Sequence, residues 1–267
     1  MMYKYSMDIL DLVSRIQKTK KYARVYGPLL GRACVEESAK YKKDKDIIKA
    51  VKNRLHMTYG AFAGDPGAAR ELISGGGDIV ELSEKLLRLN TSSRERAGFV
   101  REFYGFIFGV VPAGDIRSVL DAGCGFNPFA LPFMAGADIK EYHALDMDTG
   151  LAEAINGYFG LLGLPRCAGC IDIVAETPPQ KCDIAFLFKL IPTIEACKKG
   201  RGAEIMEGID AKYIAVSFPA RTLCGKNIGM AENYAGFFER DMDRGKFTIA
   251  GKKLFENELV YVLKRER

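Results

Sequence analysis

Short apolar runs alternate with helical stretches through the second half of the chain, and this alternation restricts the possible folds most strongly. Five runs are separated by stretches long enough for a helical crossover, at residues 118–120, 142–145, 171–174, 184–188 and 213–218. Strands joined in this way form a mostly parallel sheet with helices on both faces. The last two runs, 247–249 and 259–263, lie too close together for a crossover, so we expect an antiparallel pair at the sheet edge. The sequence therefore predicts an α/β fold with a mostly parallel seven-stranded sheet.

The first 111 residues have a helical pattern instead. Pro112 and Gly114 mark the exit from this region. We therefore predict a helical N-terminal domain, residues 1–111, followed by an α/β domain, residues 112–267. Apolar residues recur at helical spacing at Ile9, Leu10, Val13 and Ile16, and again at Ile47, Ile48, Val51 and Leu55.

Polar residues that favour helix starts divide the N-terminal region. Asp65 precedes a proline, and Asp78 follows three glycines, so each stands where a helix can begin. Ser92 and Glu95 have the spacing of a capping box. We predict one helix from Ser92 to about Val111.

Positive charge is concentrated at the start of the chain. The net charge is +5, but residues 1–60 contain 14 Lys and Arg against 6 Asp and Glu. This region therefore carries about +8 and the rest about −3. Such a surface suits a phosphate backbone or is a solvated helical face, and charge alone leaves both open. The candidate RNA-binding residues are Lys18, Lys20, Lys21 and Arg24.

Features of exported or membrane proteins are missing from the sequence. No apolar run approaches the roughly 18 residues of a membrane span. The first residues lack the apolar core of a secretory signal. Seven cysteines, an odd number, suit free thiols in a reducing compartment. We expect a cytoplasmic protein.

A glycine-rich loop follows the first predicted strand. After Asp121 come Gly123 and Gly125, and glycine lets the backbone turn tightly and approach a ligand closely. A dinucleotide-binding loop usually carries a third glycine that seats the pyrophosphate, but this chain has Pro128 there. S-adenosylmethionine has no pyrophosphate, so the loop favours that cofactor over a dinucleotide.

Acidic residues follow the next two predicted strands. Asp146 stands at the tip of the second strand, where a carboxylate can accept both ribose hydroxyls. Asp148 is the alternative, although it could instead cap the following helix. Asp172, with Ile173 beside it, falls near the tip of the third strand, where such folds recognise adenine. A loop-capping aspartate is the other interpretation of Asp172.

Several separated segments resemble one family of enzymes. They are residues 91–96 (TSSRER), 121–128 (DAGCGFNP), 188–195 (FKLIPTIE), 216–223 (VSFPARTL), 229–230 and 233–234. Together they resemble the aminoglycoside-resistance 16S ribosomal RNA methyltransferases that modify N7 of guanine 1405 in the decoding-site helix. The resemblance implies a class I, Rossmann-like methyltransferase core, S-adenosylmethionine as cofactor and 16S rRNA within the 30S subunit as substrate. A monomer is the simplest expectation for docking onto so large a particle.

The resemblance also implies roles for individual residues. Arg94, or less readily Arg96, would bind the carboxylate of the cofactor. Lys189 would lie near the reaction centre, and Ser217 and Phe218 would border the methyl-transfer pocket.

The chain departs from the family pattern in two places. Asn90 stands where histidine is expected, and Ala220-Arg221 stands where threonine and lysine are common. These departures bear on antibiotic resistance in the host more than on the chemistry.

Attack by guanine N7 requires no general base, because its lone pair is available in the neutral base. Catalysis would come from holding N7 in line with the methyl group, after the guanine has left the helical stack. Phe218 could stack on the guanine or simply pack in the core, and Asn127 or Lys189 could engage its polar edges. Arg221 and Lys226 would face RNA phosphates.

A metal site is not expected. Cys167 and Cys170 have the spacing of half a zinc site, but no second pair follows. The two histidines, His56 and His143, fall in a predicted helix and a predicted strand, where structural roles are expected.

Three other functions remain open. One is methylation of adenine N1 at a neighbouring nucleotide of 16S rRNA, and another is methylation of a small molecule beneath a helical lid. The third is RNA binding without catalysis, which the intact Asp121, Gly123, Gly125 and Asp146 argue against. The charge asymmetry argues against the small-molecule enzyme.

Overall fold

A computed structural model describes residues 6–58, 64–112, 114–220, 236, 238–240, 242 and 245–266, apart from the side chains of residues 57 and 58. Arg221, Lys226 and the motif residues 229–230 and 233–234 lie outside the described residues. None of the helices in the described ranges has the length and apolar character needed to cross a membrane.

Three N-terminal helices form a small unit with its own apolar core. They are α1 (Met7–Gln17), α2 (Gly27–Ser38) and α3 (Asp44–Thr58), with a 3₁₀ turn at Lys20–Tyr22. The predicted periodic patterns lie on the buried faces of α1 and α3, except that Leu10 is exposed and Leu12 is buried instead. The fully buried side chains of this core include Ile16, Val25, Leu30, Cys34 and Val51.

Four further helices cover one face of the sheet: α4 (Pro66–Gly75), α5 (Ile79–Leu87), α6 (Thr91–Ala97) and α7 (Val100–Gly109). The predicted starts of α4 and α5 are confirmed, because each capping aspartate accepts hydrogen bonds from the backbone N–H groups of the second and third helical residues. Apolar side chains of α4, α5 and α7 belong to the same core as the sheet. The helices α1–α3 therefore have one apolar core, and α4, α5 and α7 share another with the sheet. The domain boundary at residue 111 stays a prediction.

The helix predicted from Ser92 to Val111 is two helices. Asn90, not Ser92, is the N-cap of α6, because its side-chain oxygen accepts the N–H groups of Ser92 and Ser93 at 2.9 and 3.4 Å. The first helix ends at its C-cap, Gly98, because glycine is a weak helix former. Phe99 then leaves helical geometry and stacks on Phe255 at 5.3 Å. The break turns α6 towards the carboxyl ends of the strands.

In the described part of the chain, seven strands form one sheet in the order β3-β2-β1-β4-β5-β7-β6. The first five pair in parallel, and β7 pairs antiparallel with both β5 and β6. The predicted α/β architecture is confirmed. The strands are β1 (Ser118–Ala122), β2 (Glu141–Asp146), β3 (Ala168–Cys170), β4 (Cys182–Phe188), β5 (Ala211–Pro219), β6 (Phe247–Leu254) and β7 (Glu258–Arg265).

Helices pack on both faces of this sheet, as the crossovers predict. They include α8 (Thr149–Leu161), which shares the core of α4, α5 and α7. The other face is covered by α9 (Ile191–Cys197) and α10 (Arg201–Gly208). The carboxyl ends of β1, β2 and β4 consequently lie together at one edge, beside α6.

The predicted position of the third strand is wrong. The sequence pattern predicts an extended segment at residues 171–174, but β3 is Ala168–Cys170. Beyond it, Ile171 donates its N–H to the carbonyl of Asp146, and Asp172 begins a turn that its carbonyl closes by accepting from Ala175. Ile171 and Ile173 are buried from this loop, so their apolar alternation reflects core packing without strand geometry.

Candidate active site

A cavity lies at the carboxyl ends of the central strands. Its wall includes residues 123–127 after β1, 146–148 after β2 and 188–190 after β4. The start of α6 closes one side with Asn90, Ser92, Ser93 and Arg96. This is the place where open α/β sheets bind ligands, because adjacent loops diverge there.

The glycine loop forms the floor of the cavity. Gly123 and Gly125 have φ angles of +64° and +50°, which residues other than glycine rarely adopt. A Cβ on Gly123 would lie 2.7 Å from Cδ1 of Leu190. Only glycine therefore allows the loop to pass this close to the segment after β4.

Asp146, at the end of β2, contacts this loop. Its Oδ2 accepts the N–H of Gly125 at 2.9 Å, and its Oδ1 accepts the N–H of Met147 at 2.7 Å. Burial raises the pKa of Asp146, although the backbone donors act in the opposite direction. Asp148 is the N-cap of α8, with Oδ1 accepting from Gly150 at 2.9 Å. Because Asp148 both caps α8 and pairs with Arg24, Asp146 is the better ribose candidate.

Asp121 supports the loop from below and is not part of the cavity wall. Its Oδ2 accepts from Nδ2 of Asn127 at 2.8 Å and from the hydroxyl of Tyr142 at 2.7 Å. Burial raises the pKa of Asp121 to about 6. Oδ1 of Asn127 accepts from Arg96 at 2.7 Å and from the hydroxyl of Tyr104 at 2.6 Å. Both ends of the Asn127 amide are thus engaged within the protein.

Arg96, not Arg94, is the arginine at the cavity. Arg94 is exposed and lies outside the cavity wall, whereas Arg96 is buried in it. Ser92 and Arg96 are four residues apart and share the inner face of α6, from which Arg94 is turned away. The Arg96 guanidinium lies 4.2 and 4.7 Å from the ring centroids of Phe103 and Phe188.

A buried glutamate, absent from the sequence-based site, holds Arg96. Glu258, at the start of β7, is fully buried and accepts from Nη2 and Nε of Arg96 at 2.6 and 3.2 Å. Glu258 also accepts a hydrogen bond from the hydroxyl of Ser217, and its Oε2 lies 3.7 Å from Nζ of Lys189. Burial opposes its charge, but Arg96 and Lys189 hold the pKa of Glu258 below its usual range. The sequence signal that points to Glu258 is its position directly before the apolar run 259–263.

Lys189 lies at the cavity in an unusual conformation. Its φ is +54°, in the left-handed region. Among the described residues, no other residue except glycine has a positive φ. Its N–H donates to the carbonyl of Ser217 at 3.0 Å, and its Nζ lies 3.0 Å from Oε2 of Glu95. Lys189 thus lies in the cavity wall, and its place near the reaction centre stays a prediction.

Ser217 and Phe218 point to opposite sides of β5. Ser217 is buried and directed at Glu258. Phe218 is 2% exposed and packs against Phe238 and Tyr261, with ring centroids at 5.1 and 6.2 Å. Core packing, not stacking on a substrate, is therefore the role that the structure gives Phe218. The aromatic residues in the cavity wall are Phe126 and Phe188.

Asp172 and Ile173 do not reach the cavity. The carboxylate of Asp172 accepts from Nε and Nη2 of Arg32 at 2.5 and 3.0 Å, which ties α2 to the α/β core. The carbonyl of Ile173 accepts from Nε of Arg201 at 3.3 Å. The displaced third strand explains the difference, because both residues belong to the turn after it.

The predicted docking cations fall into two groups. Lys18, Lys20 and Lys21 are exposed on the N-terminal unit. Nζ of Lys21 lies 2.9 Å from Nδ1 of His56. Arg24 instead donates from Nε to both oxygens of Asp148 at 3.2 and 3.3 Å, so it joins this unit to the loop after β2.

The chain is similar along nearly its whole length to a known family of enzymes. Residues 18–262 match the family model described as ribosomal RNA methyltransferase (FmrO). The chain belongs to this family. A member from Serratia marcescens, the 16S rRNA (guanine(1405)-N(7))-methyltransferase, is 32% identical over 261 residues, covering 97% of this chain and 99% of the relative. The enzyme of the same name from Frankia casuarinae is 30% identical over 269 residues, covering 95% and 94%.

Solved structures of this type of methyltransferase have the same fold. The 16S rRNA methyltransferase RmtF, in complex with S-adenosyl-L-homocysteine, is similar with a TM-score of 0.84 and 29% identity, covering 98% of this chain and all of that one. The 16S rRNA methylase RmtB is similar with a TM-score of 0.81 and 28% identity, with the same coverage. The resemblance found in separated motifs is confirmed over nearly the whole chain.

Proposed function

We propose that this chain transfers the methyl group of S-adenosylmethionine to N7 of guanine 1405 in 16S rRNA of the 30S subunit. The observation that carries the proposal is the cavity formed by the glycine loop, Asp146 and Arg96, in a chain similar along its length to enzymes named for that reaction. Its place of action would be the cytoplasm, where 30S subunits are, and it would act as a monomer.

The residues of the cavity fit the cofactor. The glycine loop lets a ligand approach the backbone, since the space where a Cβ on Gly125 would lie is open. Asp146, in the cavity wall, would accept the ribose hydroxyls. Arg96 has five N–H donors and uses three in its bonds to Glu258 and Asn127, which leaves two for a carboxylate. S-adenosylmethionine would supply an electrophilic methyl group on its sulfonium.

The target base would be held by the segment after β4. Phe188 lines the cavity wall beside Lys189, but its ring already stacks on Phe186 and lies 4.7 Å from the Arg96 guanidinium, so Lys189 would make the main contact with the base. Lysine commonly donates to guanine O6, and this contact would orient the base without removing a proton. Because neutral N7 already carries a lone pair, positioning is the main contribution of the protein.

Docking on the 30S subunit would use the N-terminal unit, α1–α3. Its exposed lysines, Lys18, Lys20 and Lys21, are suited to RNA phosphates, which fix orientation without reading sequence. The ion pairs Arg24–Asp148 and Arg32–Asp172 hold the unit against the α/β core, so docking would place the cavity over its guanine.

Charge reversal tests the docking surface. The triple variant Lys18→Glu, Lys20→Glu, Lys21→Glu should bind 30S subunits at least about tenfold more weakly, because phosphate contacts become repulsive. Its affinity should also depend less on salt. Affinity for S-adenosylhomocysteine should stay unchanged, since these residues lie away from the cavity.

A matched control carries the same change of charge elsewhere. Lys140→Glu, Lys181→Glu, Lys198→Glu alters three exposed lysines of the α/β domain. It should bind 30S subunits more tightly than the N-terminal triple variant. Equal loss in both variants would show that only net charge matters and would remove α1–α3 as the docking surface.

Methyl transfer to purified substrates separates rRNA methylation from the functions that leave rRNA unmodified. With radiolabelled S-adenosylmethionine, we expect label in 16S rRNA from 30S subunits and far less in deproteinised 16S rRNA. A small-molecule methyltransferase would label neither, and an RNA-binding protein without catalysis would transfer nothing. Expression in aminoglycoside-susceptible bacteria then measures whether the modification confers resistance.

A further inference from the structure

Two strands at the sheet edge bring three potential metal ligands onto one face. Glu141 and His143 are two residues apart on β2, so their side chains point the same way. Cys167 immediately precedes β3, and the next residue, Ala168, pairs with Ala144 in parallel register. Cys167 therefore falls beside His143, on the same side of the sheet.

The donor atoms of these residues converge. Nε2 of His143 lies 2.9 Å from Oε1 of Glu141. Among the residues that the structure describes, one donor atom from each of Glu141, His143 and Cys167 falls within 4.8 Å of the other two. Ligands at 2.0–2.3 Å around a tetrahedral ion are roughly 3.3–3.8 Å apart, so small side-chain rotations would complete the geometry.

We propose that Glu141, His143 and Cys167 form a zinc site, with water as the fourth ligand. The donor set is a carboxylate oxygen, an imidazole nitrogen and a thiolate sulfur, a mixture that suits zinc. Calcium and magnesium are disfavoured, because they take oxygen ligands. Binding would form a zinc–sulfur bond, and the thiol proton would pass to solvent.

The site is separate from the cavity and independent of the proposed function. Glu141 begins β2, whereas Asp146 ends it, a separation of five residues or roughly 16 Å. The ion would clamp the three-residue edge strand β3 onto β2. Cys170 pairs with Asp146 at the far end of β3, which explains why the Cys-x-x-Cys pattern is a poor guide here.

Cobalt substitution tests the proposal directly. Metal-free full-length protein, titrated with Co²⁺, should bind one equivalent with a sulfur-to-cobalt charge-transfer band, and Zn²⁺ should displace it. Cys167→Ser should abolish the band. His143→Gln should weaken binding by more than about 100-fold, because even residues that only support a ligand contribute about 10–100-fold. Cys170→Ser is the matched control and should retain the band and the affinity.

Folding of each variant is checked by its affinity for S-adenosylhomocysteine, which should equal that of the wild type. Absence of one-equivalent Co²⁺ binding by the wild type would overturn the proposal. A band that persists in folded Cys167→Ser protein, or disappears in Cys170→Ser, would also overturn it, because the sulfur ligand would then be a different cysteine.

Discussion

Replacing Asp146 with alanine should weaken binding of S-adenosylhomocysteine by at least about 100-fold. Each hydrogen bond to a charged carboxylate contributes about 1.5–3 kcal/mol, and the proposed ribose contact contains two. The substitution also removes the acceptor for the N–H of Gly125, so the glycine loop loses a partner that holds its shape. Isothermal titration calorimetry measures the change.

Asp148→Asn is the matched control for this variant. Asp148 is two residues from Asp146, but its carboxylate caps α8 and pairs with Arg24. Asparagine caps a helix about as well as aspartate, so the fold should persist and the affinity for S-adenosylhomocysteine should change little. Unchanged affinity in Asp146→Ala, or equal losses in both variants, would show that Asp146 does not hold the ribose.

Replacing Glu258 with alanine should lower the free energy of unfolding by about 3–5 kcal/mol, because Arg96 would keep its charge in a buried site without its partner. Arg96 would also lose the bidentate contact that fixes its orientation at the cavity. Affinity for S-adenosylhomocysteine should therefore fall together with stability. Denaturant unfolding and calorimetry measure the two effects.

Two further substitutions make the Glu258 result interpretable. Glu256→Ala changes an exposed acid two residues away and should alter stability by no more than about 0.5 kcal/mol. Glu258→Gln keeps hydrogen-bonding oxygen and nitrogen atoms near Arg96 but removes the charge, so its loss should be intermediate. If Glu258→Ala were as stable as Glu256→Ala, the buried network would have no energetic role.

The same carboxylate predicts a pH dependence. Because the pKa of Glu258 is lowered in the folded state, the carboxylate stabilises the protein above its unfolded pKa of about 4.3. That contribution is lost as pH falls through the lower folded value. Stability of the wild type should therefore decline in acid more steeply than stability of Glu258→Gln, and an identical acid slope would contradict the assignment.

Local patterns predict those parts of the fold that depend on local chemistry. The glycine loop and the acid after the second strand, Asp146, are recognisable because tight turns and strand tips impose particular residue types. The capping aspartates of α4 and α5 are recognisable for the same reason. Parallel pairing of the first five strands and antiparallel pairing of the last two follow from the crossovers and the short final hairpin.

Long-range contacts account for most of the differences. Arg96 and Glu258 are 162 residues apart in sequence, so nothing near either residue identifies its partner. The apolar pair Ile171 and Ile173 has the alternation of a strand, but tertiary packing buries it from a loop. The break after α6, which depends on Phe99 meeting Phe255, is equally invisible locally.

One difference was predictable from geometry. Adjacent residues of a strand point to opposite faces, so Ser217 and Phe218 cannot both face the pocket. Ser217 is directed at Glu258, and Phe218 lies in the core on the other face. Strand alternation therefore excludes one of the two residues from the pocket, and the contacts of Phe218 with Phe238 and Tyr261 show that it is Phe218.

Mapping the methylated nucleotide tests the central claim most directly. 30S subunits are incubated with the enzyme and S-adenosylmethionine, and the 16S rRNA is cleaved chemically at N7-methylguanine and read by primer extension. We predict a stop at guanine 1405 that requires both the cleavage step and active enzyme, and that is lost with Asp146→Ala. A stop at a neighbouring adenine without cleavage would contradict the claim, because N1 methylation blocks base pairing directly and identifies an adenine methyltransferase.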